Sequence, residues 1–67
     1  MFLVAVNDAE GRQYQINGGS IAYYTRDTTG KGSIITFSVV LNGELLTMKV
    51  ADTPEQITTL INAKLRK

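Results

Sequence analysis

No cysteine and no histidine occur among the 67 residues. The chain therefore has no disulfide to staple it and lacks the usual ligands of a zinc or iron–sulfur site. Without an imidazole, Ser20, Ser33 and Ser38 have no ordinary base to activate them as nucleophiles. An excess of one charge is missing as well: seven basic and six acidic side chains leave +1. That balance demands neither a nucleic-acid backbone nor an anionic membrane nor an acidic substrate. No apolar run approaches the roughly 20 residues of a membrane-spanning helix. The run Met1–Val6 is too short for a signal-peptide core and has no basic residue before it. These absences describe a soluble chain, and the lack of cysteine suits a reducing cytoplasm.

A single domain of this length buries only roughly 60% of the surface its unfolded form exposes. With no covalent or metal staple, stability has to come from apolar packing, from turn and cap chemistry, or from association with other chains.

The strongest positive signal is Asn42-Gly43. Both residues tolerate the positive φ of a type I′ turn, and they sit between two alternating segments, Ser33–Leu41 and Glu44–Ala51. A two-residue loop there predicts the pairs Val39–Leu46, Phe37–Met48 and Ile35–Val50 on an apolar face. Ser38–Thr47 and Thr36–Lys49 then fall on the opposite face. Upstream, the apolar run Phe2–Val6 predicts a strand buried on both faces. Asn7–Gly11 reads as a turn, and Arg12–Asn17 as a half-buried strand with Tyr14 and Ile16 on one side. Gly18-Gly19 permits a change of direction. Ser20–Arg26 is again extended, with Ile21 and Tyr23 on one side and Ala22, Tyr24 and Arg26 on the other. Asp27–Gly32 is a hairpin-tip loop.

The period then changes from two to between three and four. Thr53-Pro54-Glu55-Gln56 combines an N-cap, a proline at the first helical position and a capping-box glutamine. Ile57, Leu60, Ile61 and Leu65 form one apolar stripe, and Lys64, Arg66 and Lys67 suit the negative end of a helix running from Pro54 to about Arg66. The pattern predicts an α+β domain over residues 1–67: an antiparallel four- to five-stranded β-meander sheet with one C-terminal amphipathic helix on one face. A single helix covers a single face. Ile34, Val40 and Leu45, joined by Tyr24, are expected on the other face as an apolar interaction surface.

Sites of chemistry are scarce. Gly30-Lys31-Gly32-Ser33 lacks the full glycine spacing of a phosphate loop and leads into a strand, so it reads as a flexible hairpin loop. Asn7, Asp8 and Glu10 supply three oxygen-bearing side chains where a calcium loop needs about six ligands. No carboxylate pair is placed for acid–base work, and Lys49 occupies a polar strand position. The expectation is a non-enzyme with no cofactor, no metal site and no catalytic residue. Aromatic and basic residues (Tyr14, Tyr23, Tyr24, Phe37, Arg12, Arg26, Lys31) supply the ingredients of a single-strand nucleic-acid platform. Its contacts would be Tyr23, Tyr24, Arg26 and Lys31, provided they share an exposed face, and Lys64, Arg66 and Lys67 could extend it.

From about Ile16 onward the order of features resembles small bacterial flagellar FlbD-type proteins. The matching pieces are Asn17, Ile21, Ile34-Ile35-Thr36, Leu41-Asn42-Gly43, Lys49-Val50 and Glu55-Gln56-Ile57. The resemblance covers roughly the last fifty residues and implies a hairpin followed by a capped helix. That pattern also suits phage and mobile-element products. The Asp27–Gly32 loop, the Thr53-Pro54 helix start and the apolar first strand depart from it, and no functional residue is carried over. The sequence thus points first to a self-associating interaction module, acting through a sheet edge or the uncovered sheet face, and second to a weak single-strand nucleic-acid binder.

Overall fold

The computed structural model describes residues 2–65. Five strands and one helix follow in the order β1 (Leu3–Asn7), β2 (Gln13–Asn17), β3 (Ile21–Arg26), β4 (Ser33–Leu41), β5 (Glu44–Val50) and α1 (Pro54–Leu65). A 3₁₀ turn at Gly18–Ser20 joins β2 to β3. The α+β class and the C-terminal helix agree with the sequence reading. The single meander sheet does not form. Instead there are two antiparallel sheets, one ordered β1-β2 and the other β3-β4-β5. The chain changes sheet at the 3₁₀ turn, where the Asn17 side chain accepts a hydrogen bond from the Gly19 amide (3.0 Å) and donates one to Ser20 Oγ (3.1 Å).

The two sheets meet at a clasp. The Ala51 amide donates to the Asn7 carbonyl (2.7 Å), and the Asn7 amide donates to Asp52 Oδ1 (2.7 Å). Ser33 Oγ donates to the Asp52 carbonyl (2.7 Å). Ends of β1, β4 and β5 are thereby tied together immediately before the helix. The core lies against this junction: Val4 and Val6 from β1, Ile35 and Phe37 from β4, Val50 from β5 and Ile57 from the helix are all buried. β1 is buried on one face only, because Leu3 and Ala5 turn away from the core. That corrects the expectation of burial on both faces; with two small sheets, no second layer covers the outside of β1.

Both strand pairings of the larger sheet are irregular. Between β3 and β4, Ile21 pairs with Phe37 but Tyr23 pairs with Thr36, so Ala22 is an extra residue. The bulge puts Ile21 on the same face as Tyr24, which pairs with Ile35. Between β4 and β5, the turn-proximal pairs Val40–Leu45 and Leu41–Glu44 follow the predicted register. Beyond them β4 carries two extra residues, and the pairs become Thr36–Thr47, Ile35–Met48, Ile34–Lys49 and Ser33–Val50. The predicted pairs Phe37–Met48, Ile35–Val50, Ser38–Thr47 and Thr36–Lys49 are replaced. A slip of two leaves each side chain on its expected face, so the hydrophobic pattern is blind to it.

The turn and the helix start form as the sequence dictates. Asn42 and Gly43 have φ of 53° and 82°. Thr53 Oγ1 accepts from the Gln56 amide (3.2 Å) while Gln56 Oε1 accepts from the Thr53 amide (2.8 Å), a reciprocal capping box. Ile57 is buried, Leu60 and Ile61 are half-buried, and Leu65 is exposed. The stripe thus packs through its first half. Arg66 and Lys67, expected in the last turn, lie outside the described residues.

Gly32 is a demanding position. Its φ is +79°, and a Cβ there would collide with the Val50 carbonyl. Gly32→Ala combines an unfavourable backbone conformation with that collision, so a loss of about 1–3 kcal/mol is expected. Urea unfolding would show it as a lowered midpoint at unchanged slope.

Candidate interaction surface

β5 is an outer strand of its sheet, and a groove of about 1220 Å³ runs beside it. Its apolar lining comes from Tyr14 and Ile16 on β2, Phe37 on β4, and Leu46, Met48 and Val50 on β5. These residues face one another across the space between β2 and β5. Charged side chains form the rim, and most of them already have partners.

Asp8 organises one rim. Its Oδ1 accepts from the amides of Glu10 and Arg12 (both 2.9 Å), and its Oδ2 accepts from Arg12 Nε (2.8 Å) and Tyr14 Oη (3.2 Å). Partial desolvation pushes the carboxyl upward, but the Arg12 side chain and the two amides outweigh it and hold it at about 2. Both Asp8 carboxylate oxygens are thus engaged by donors, Glu10 pairs with Arg12 at 3.3 Å, and the segment is a self-capped turn.

Asp27 organises the other rim. It is 5% exposed, and Lys49 Nζ lies 3.2 Å from its Oδ2. Oδ1 receives the Thr28 hydroxyl (3.3 Å) and the Thr29 amide (3.4 Å). Burial opposes its ionisation, yet the Lys49 ammonium and these donors keep the carboxyl below its ordinary range. Lys49 is therefore the counter-ion of a buried aspartate. Sequence reasoning missed this pair because 22 positions separate its members and no local period links them.

Beyond the groove, the end of the β4–β5 hairpin is an apolar arm. Val39, Val40, Leu41, Leu45 and Leu46 are between 41 and 65% exposed. Of the surface expected from the sequence, Val40 and Leu45 are directly paired on this arm. Ile34 lies further along the same strand, half-buried opposite Lys49. Tyr24 does not join them: it is half-buried opposite Ile35, and its hydroxyl is 2.6 Å from Thr58 Oγ1 on the helix.

The proposed nucleic-acid contacts are likewise spread out. Tyr23, 56% exposed, and Tyr24 are successive residues and point to opposite faces. Arg26 donates to both carboxylate oxygens of Glu55 at 2.7 Å, which ties β3 to the first turn of the helix. Lys31 stands in the exposed loop at the groove rim. The Arg26–Glu55 and Tyr24–Thr58 contacts, 29 and 34 positions apart, carry no sequence signal. Among the described residues no cluster could hold a metal ion, and no helix is long and apolar enough to cross a membrane.

The depressed Asp8 carboxyl has a consequence for acid stability. Its folded value of about 2 lies below the ordinary 3.8. The folded state therefore binds its proton less readily, and the stabilisation is complete above about pH 4 and lost as the pH falls towards 2. Denaturation at a series of pH values should show this loss. Asp8→Asn should flatten the curve in that window and lower stability at neutral pH; an unchanged curve would contradict the assignment.

No family model matches the chain, and no curated protein or solved structure matches it either.

Proposed function

We propose that this protein is a non-enzymatic interaction module that self-associates through the free edge of β5 and the apolar arm next to it. One observation carries the reading: five large aliphatic side chains stand exposed together on a hairpin that also ends in an outer strand. Monomeric proteins usually guard such an edge with proline, a bulge on the strand itself, or several charges. β5 has no proline, its extra residues lie on β4 instead, and Glu44 and Lys49 are its only charges. A chain with a small core gains from covering this surface, because the burial that stabilises the assembly also stabilises the fold.

Light scattering at micromolar concentration is the direct test. The wild type should weigh more than one chain, and its melting temperature should rise with concentration. A monomer melting independently of concentration would overturn the proposal. Replacing Val40 and Leu45 together by serine should leave monomer stability within about 1 kcal/mol, since both are exposed. Association should weaken by roughly tenfold or more.

A further inference from the structure

The free edge of β5 has a definite hydrogen-bonding phase. The Ala51 amide points away from β4, since it donates to the Asn7 carbonyl on β1. Alternation along an extended strand then directs the N–H and C=O groups of Lys49, Thr47 and Leu45 outward too. The turn gives the same phase independently. In a two-residue hairpin the pair flanking the loop, here Leu41–Glu44, exchanges the hydrogen bonds, so Glu44, Leu46 and Met48 point their polar backbone groups at β4. Three residues, Leu45, Thr47 and Lys49, thus present unpaired backbone donors and acceptors in a row.

We infer that a second copy of this chain occupies that edge, with β5 antiparallel to β5 of the partner about a two-fold axis through Thr47. The inference rests on the self-association proposed above and specifies its register. In this register Leu45 faces Lys49 of its mate, Thr47 faces Thr47, and Lys49 faces Leu45. All three outward-pointing residues therefore exchange backbone hydrogen bonds. An axis through Leu46 or Met48 would use only two of them. Like charges are not opposed, and Lys49 lays its aliphatic stem beside Leu45.

On the groove side, Leu46 faces Met48 of the mate and Glu44 faces Val50. Met48 and Val50 line the groove, so each apolar arm lies along the groove of the other copy. Each half then fills what the other leaves open, as an isologous contact requires. Glu44 is the only charged residue between Ser33 and Met48. Its position opposite Val50 sets it on the outer side of β5, at the groove whose rim carries Lys31, a lysine with no ion pair among the described residues. The groove-side arm residues Val39, Leu41 and Leu46 expose roughly 250 Å² per copy, so two arms bring roughly 500 Å² of apolar surface to the groove walls they cover. With the paired strands and groove walls, the contact approaches the roughly 1,200 Å² at the lower end of specific interfaces.

Charge exchange at Thr47 tests the register, because only there does a residue meet its own copy. Thr47 is exposed, so Thr47→Lys and Thr47→Glu should both fold, which thermal melts at low concentration would check. In sedimentation experiments each variant alone should associate roughly fivefold more weakly or worse, because like charges stand opposite each other. An equimolar mixture should recover association to at least the wild-type level. If the wild type associates but the variants do not behave in this reciprocal way, the register is wrong while self-association stands. If the wild type is a monomer, both proposals fall.

Discussion

The clasp between Asn7, Ala51 and Asp52 is the constraint on which the rest of the structure depends. Two small sheets that share no continuous ladder are linked by the 3₁₀ turn at Gly18–Ser20 and tied at this corner by backbone and side-chain hydrogen bonds of 2.7 Å. Each such bond contributes about 1 kcal/mol net, but leaving its partners unpaired in a partly buried corner costs more. The clasp sets Val4 and Val6 over Ile35 and Val50, and it delivers the chain to the Thr53 cap with Ile57 aimed into the same core. It also decides what stays open. The groove is the space where β2 and the outer strand β5 face each other beside the clasp.

Small size explains why that space is left. One helix and two thin sheets bury six apolar side chains well, and several large aliphatic ones remain outside. The β4–β5 hairpin illustrates the division along a single element. Its base, around Ile35 and Val50, is core, while its tip, around Val40 and Leu45, is exposed apolar surface. The register irregularity between Thr36 and Val40 marks the boundary between the two. The buried Asp27 and its Lys49 counter-ion sit at the base, so the charged lysine of β5 is engaged near the core while the middle of the strand stays uncharged.

Much of the local structure was legible in the sequence. Asn42-Gly43 specified its turn because few other residues accept two successive positive φ values. Thr53 and Gln56 specified the helix start because their side chains satisfy each other's amides. The split into two sheets was not legible, since its cause is a clasp between residues 45 positions apart. The two-residue slip in β4 was hidden for a different reason: it preserves the alternation that a reader of periodicity relies on. At the candidate surface, Val40 and Leu45 were identified by counting back from the turn. Tyr24 was misplaced because the bulge at Ala22 and the contact with Thr58 are tertiary facts.

Amide hydrogen exchange, followed residue by residue at increasing protein concentration, tests the central claim most directly. If β5 is an open edge that a second copy closes, the Leu45, Thr47 and Lys49 amides should exchange fast in dilute solution and become protected as concentration rises. The Met48 amide, bonded to β4, should be protected throughout. Fast exchange of the three edge amides at every concentration, with Met48 protected, would contradict the account.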